Sequence, residues 1–103
     1  MYWTMLEGIN IVGFSGASQG TIGLKARNAA TLEDLPEKFV AATEQEVAQA
    51  VQLAATAAPA YAETAPEQRA QFLEAIAEEI EALGDALLAR ASAESGLPFA
   101  RFQ

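Results

Sequence analysis

The sequence predicts a mostly helical chain: a short β-hairpin followed by two or three amphipathic α-helices. Three observations carry that prediction. Before residue 43, Gly, Ser, Asn and Thr punctuate short β-prone runs. After it, apolar residues recur at helical spacing. Two capping-box patterns and a Gly-then-Pro stop bracket the helical part.

Asn10–Phe14 reads as one strand, and Thr21–Arg27 as a second with partial alternation through Ile22 and Leu24. The six residues between them, Ser15 to Gly20, are mostly small and turn-compatible, so a single hairpin is the economical reading. Asn28–Ala42 reads as loop, with Phe39 and Val40 returning to the core.

Thr43-Glu44-Gln45-Glu46 is a capping box, in which the Thr hydroxyl accepts from the third helical amide while Glu46 reaches back. Val47, Ala50, Val51, Ala54, Ala58 and Tyr61 form the apolar stripe of the first helix. Pro59 is expected to bend or end it, because proline lacks an amide hydrogen and crowds the preceding turn. A second box, Thr64-Ala65-Pro66-Glu67, opens the next helix, whose stripe runs from Phe72, Leu73, Ile76 and Ile80 to Leu87 and Ala91. Gly84-Asp85 is a plausible break, since Gly costs about 1 kcal/mol relative to Ala inside a helix. Gly96 followed by Pro98 stops the last helix. The chain therefore divides into a hairpin-and-loop segment, 1–42, and a helical segment, 43–103.

At 103 residues the chain fits one small domain or a piece of a larger one. Roughly a quarter of the residues are Ala, which adds little burial per residue. The net charge of −8 is concentrated in the helical segment, where ten acids face Arg69, Arg90 and Arg101. Such a surface repels phosphate backbones and anionic lipid, so no nucleic acid and no membrane is expected as a partner. With no Cys and no His, disulfides, thiolate nucleophiles, imidazole bases and nearly all transition-metal sites are absent. No basic residue precedes Lys25, as a signal peptide would require, and no uncharged stretch reaches a span of about 20 apolar residues. A cytoplasmic location is the expectation.

The stretch GFSGASQGTIG, Gly13–Gly23, follows an apolar run and invites a phosphate-cradle reading. A dinucleotide fingerprint needs G-x-G-x-x-G opening a helix, so that helix-terminal amides meet the pyrophosphate. Here the glycines stand at 13, 16, 20 and 23, Thr21 sits where a Walker loop needs Lys, and a strand follows instead of a helix. Short-chain dehydrogenase turns are matched at Ser15, Gly16 and Gly20, but Gly23 arrives one residue late. A hairpin loop is expected, with no cofactor-binding residue. Glu78, Glu79 and Glu81 point mainly to water, no Thr or Ser has a base beside it, and Arg90–Glu94 is an i,i+4 helix pair. The Phe72–Leu73–Ile76 stripe is core. No catalytic, cofactor-binding or metal residue is expected.

From Phe39 to Arg101 the sequence resembles the N-terminal segment of the aldehyde dehydrogenase superfamily. The matching features are a T-x-x-E-V-x-x-A-V helix (Thr43, Glu46, Val47, Ala50, Val51), an A-x-P-A-Y end (Pro59, Ala60, Tyr61), a P-E-x-R helix start (Pro66, Glu67, Arg69, with Leu73) and an E-S-G-x-P stop (Glu94, Gly96, Pro98). EALGDALL and ESGLPFAR are similar to the α-ketoglutaric semialdehyde (2,5-dioxovalerate) dehydrogenase branch. The front half resembles the same branch from about Leu6, including its N-P-A-T-G turn. Asn28, Ala30 and Thr31 match that turn, while Ala29 and Leu32 replace its Pro and Gly, which is expected to loosen it.

The resemblance implies an α/β family fold of which only the N-terminal part is present. Family members oxidise aldehydes to carboxylates with NAD or NADP, through a Cys thiolate, a Glu-activated water and an oxyanion-holding Asn. All of these lie downstream of the matching segment, and Asn10 and Asn28 fall in hairpin and turn positions. The implied role is structural: a segment, inactive alone, that packs on the cofactor-binding domain or self-associates through apolar helix faces. A free-standing acidic helical protein-interaction module without enzymatic activity is the alternative.

Overall fold

The computed structural model describes residues 6–103; the first five residues of the 1–42 segment lie outside the described part. Two separate antiparallel strand pairs precede three helices. The first pair joins β1 (Asn10–Val12) to β2 (Ser15–Ala17), with Ile11 opposite Gly16. Its two-residue turn is Gly13-Phe14, and Gly13 has φ 65°, the positive value that a II′ hairpin turn takes at its first central residue. The second pair joins β3 (Gly23–Arg27) to β4 (Asp34–Val40), with Leu24 opposite Phe39.

This corrects the single hairpin expected from the sequence. Asn10–Phe14 does not pair with Thr21–Arg27, and the segment expected as loop contains the longest strand among the described residues. β2 escapes detection because Ser-Gly-Ala has little β-propensity, and β4 because Pro36 and its charges break the pattern. The register slips between Lys25 and Arg27, opposite the stretch of β4 that holds Pro36, where a missing amide hydrogen costs no ladder bond.

The turn between β3 and β4 is closed by Asn28. Its Oδ1 accepts from the amides of Ala30 (2.9 Å) and Thr31 (3.0 Å), and its carbonyl accepts from Leu32 (2.8 Å). Leu32 has φ 64°, so a side chain occupies the left-handed position that suits glycine. The turn is retained despite the two replaced residues, with strain taken up at Leu32.

α1 (Glu44–Ala62) starts at the expected capping box: Glu46 N donates to Thr43 Oγ1 (3.1 Å) and Thr43 N to Glu46 Oε1 (2.9 Å). Pro59 does not end it. The proline falls in the last turn among Ala57, Ala58 and Ala60, where little side chain is crowded and one lost hydrogen bond is tolerated. α2 (Pro66–Ala82) begins one residue later than the expected box. Proline forces its predecessor into extended geometry, so Ala65 becomes the cap and its amide donates to Gln68 Oε1 (3.1 Å), while the Thr64 hydroxyl donates back to the Tyr61 carbonyl (2.7 Å). α3 (Gly84–Ser95) begins at the expected break, Gly84 having φ 62°, and ends on left-handed Gly96 with φ 77°. A 3-10 turn, Phe99–Phe102, folds back on α3.

No apolar side chain is fully buried among the described residues. Phe39 and Val40 are only half-buried in β4. The Cα radius of gyration is 16.9 Å, where a compact domain of this length would have roughly 13 Å. The accessible surface is 8187 Å², against roughly 5,600 Å² for a folded monomer of this mass.

Candidate functional site: an uncovered apolar trough

Besides the backbone hydrogen bond from the Ala29 amide to the Ala93 carbonyl of α3 (3.0 Å), two side-chain anchors fasten the strand segment to the helices among the described residues. Glu46, only 4% exposed, joins the Gly-rich stretch to α1 by accepting from the Gln19 amide with Oε2 at 3.3 Å. The Thr43 amide, and with it the Gln19 amide and the Thr43 hydroxyl, holds this carboxyl below the usual Glu range, against an opposing push from desolvation. Arg90 of α3 donates to Glu94 (Nε, 2.6 Å) and to Glu37 of β4, and its guanidinium lies 5.6 Å from the centre of the Phe39 ring. The hydrogen bond to Glu94 first, and that to Glu37 second, raise the Arg90 pKa. The Arg90–Glu94 pair was legible at i,i+4; the contacts of Arg90 with Glu37 and Phe39 and of Glu46 with Gln19 were not, since each spans two elements.

The Gly-rich stretch covers the β1–β2 turn, β2 and the start of β3, and no helix opens from it. A Cβ on Gly20 would stand 2.1 Å from the Ala41 carbonyl oxygen, so this glycine admits a neighbouring backbone. These residues do not fit a dinucleotide pyrophosphate, which needs amides at a helix N-terminus. Glu78, Glu79 and Glu81 are exposed, as expected, and the described residues contain no group of three acids placed to hold a metal ion.

The Phe72–Leu73–Ile76 stripe, expected as core, is not buried within this chain: Phe72 is 53% exposed, and Ile80, further along it, 51%. Among the described residues its only ring contact is the edge of Tyr61 against Phe72, 5.9 Å between centroids. No layer of the described residues lies opposite α2, so the stripe has nothing to pack on. Instead it forms an open trough. Phe72, Ala75, Ile76, Ile80 and Leu83 line a hollow of about 460 Å³. Ile80 continues it into a second of about 490 Å³, lined by Leu87, Leu88, Ala91 and Phe102.

The aldehyde dehydrogenase family profile matches residues 17–103. The chain belongs to the aldehyde dehydrogenase family. It is 54% identical over 65 residues to alpha-ketoglutaric semialdehyde dehydrogenase 2 of Azospirillum brasilense, a match that covers 63% of this chain and 12% of that protein. The aligned stretch thus spans about an eighth of the relative's length. No solved structure matches the chain. The aldehyde dehydrogenase family generally uses NAD or NADP and its members are usually oligomeric. No helix among the described residues is long and apolar enough to cross a membrane.

Proposed function

We propose that this chain is the N-terminal structural segment of an NAD(P)-dependent aldehyde dehydrogenase and is not catalytic by itself. In the full enzyme the reaction is aldehyde to carboxylate, with α-ketoglutaric semialdehyde giving 2-oxoglutarate. The strand pairs of 1–42 and the helices of 43–103 pack on the cofactor-binding domain, and the location is cytoplasmic. The substrate assignment is supported by the identity to the Azospirillum brasilense enzyme. The observation that carries the structural role is the 8187 Å² surface: an excess of roughly 2,600 Å² on this chain corresponds to roughly 5,200 Å² counted over both partners, the size of a large permanent interface.

The test is a split enzyme. A family member lacking the segment that corresponds to residues 17–103 is expressed with and without this chain, and reduced nicotinamide is followed with α-ketoglutaric semialdehyde. Activity that appears only with the chain present is expected. Equal activity without it contradicts the structural role. An uncovered apolar trough on an acidic helical segment is also what a free-standing acidic protein-interaction module would present, and that second reading predicts no rescue.

A further inference from the structure

The trough across α2 and α3 carries a charge pattern that specifies what covers it, and this inference rests on the structural role proposed above. α2 contains five Glu residues and a single cation, Arg69, whose guanidinium is turned to the Thr64 carbonyl at the start of the helix. Arg90, the cation of α3, is spent on Glu37 and Glu94. Glu79 and Glu81 line the trough, and among the described residues no cation comes within ion-pair distance of Glu74, Glu78, Glu79, Glu81 or Asp85. Arg101, in the 3-10 turn, is the one remaining cation of the helical part.

We infer that the occupant of the trough is an amphipathic α-helix of the aldehyde dehydrogenase body whose apolar stripe is bordered by Lys and Arg. The lining follows helical spacing through Phe72, Ile76, Ile80 and Leu83, the ridge geometry that accepts another helix. Along α2 the trough runs from Phe72 to Leu83, about three turns of helix, and it continues past the Gly84 break to Leu87, Leu88 and Ala91. A second copy of this chain is disfavoured, because it would set one unpaired row of carboxylates against another. A basic border relieves that repulsion and leaves the apolar contact intact.

The probes are two synthetic helical peptides of about 20 residues with one identical Leu stripe, bordered in one by Lys and in the other by Glu. Each is titrated into the chain at low salt and mapped by amide chemical shifts. The Lys-bordered peptide is expected to shift residues 72–91 and to bind at least about tenfold more tightly, an advantage that shrinks as salt is added. The double substitution Glu79→Lys with Glu81→Lys, with helix content checked by circular dichroism, is expected to reverse the preference. Equal binding of the two peptides, shifts confined to α1, an unreversed preference in the folded variant, or self-association through the trough at low salt would each overturn the inference. If the variant loses its helices, the comparison and mapping on the unsubstituted chain still decide. Rescue of the split enzyme with a failed peptide test removes only this inference; no rescue with a successful peptide test removes the structural role and, with it, the dehydrogenase body as the source of the basic-bordered helix.

Discussion

Arg90 on α3 donates to the Glu37 carboxylate on β4, bringing together residues 53 positions apart in the chain. With side chains 18% and 29% exposed, this pair and the nearby Phe39 ring form a side-chain link between α3 and the second strand pair. Arg90→Met is therefore expected to destabilise the fold by about 1–2 kcal/mol, the sum of a part-exposed ion pair and a cation–π contact. Arg90→Lys keeps the charge and loses the fork, so it falls between. Urea unfolding followed at the helix signal checks the order of the three chains.

Leu32 offers the opposite sign. Its left-handed φ of 64° is unfavourable for a branched side chain, which here is largely exposed and gives up little contact. Leu32→Gly is expected to raise stability by about 1 kcal/mol, the relief of strain exceeding the added freedom of the unfolded chain. A lowered urea midpoint would contradict the assignment of strain to this turn.

Gly20 tests the Gly-rich stretch. Gly20→Ala drives a Cβ against the Ala41 carbonyl and is expected to cost about 1–3 kcal/mol. Gly16→Ala meets Ile9 Cδ1, a side-chain end that can move, and should cost less. Neither substitution is expected to alter the calorimetric response to NAD or NADP, because none is expected from the parent chain. Micromolar binding abolished by these changes would overturn the reading of this stretch as turns and strands without a nucleotide site.

Glu46 makes the joint between the Gly-rich stretch and α1 sensitive to acid. Its folded pKa is depressed, so its contribution is fully present above the unfolded value of about 4.3 and is lost as pH falls through the lower folded value. Amide exchange at Gln19 and Thr43, corrected for intrinsic rates, is expected to lose protection in that acid window. Glu46→Gln should remove the pH dependence, and a Gln variant that keeps it would exclude Glu46 as its source.

The helices were legible because their signals are local. Thr43 and Glu46 are three residues apart, Gly84 interrupts one stripe, and Gly96 with Pro98 closes it. The strands were not, because pairing is decided by partners that composition hides. Ser15–Ala17 forms a strand through the Gly13 turn and not through its own propensity, and Asp34–Val40 pairs despite Pro36 because the register slips there. The apolar stripe of α2 was legible as a surface to be buried, but not as one with nothing in this chain to bury it. The anchors at Glu46 and Arg90 needed the fold, since Gln19 and Glu37 become neighbours only through it.

We propose that the helices of this chain are completed by the rest of an aldehyde dehydrogenase. The most direct measurement is amide exchange along α2, in the 103-residue chain alone and mixed with a family enzyme that lacks the corresponding segment. Helices without tertiary packing are marginal in water, so the amides of residues 72–82 are expected to exchange with little protection in isolation. They should become strongly protected in the mixture. High and equal protection in both samples, from a chain that light scattering finds monomeric, would contradict the account.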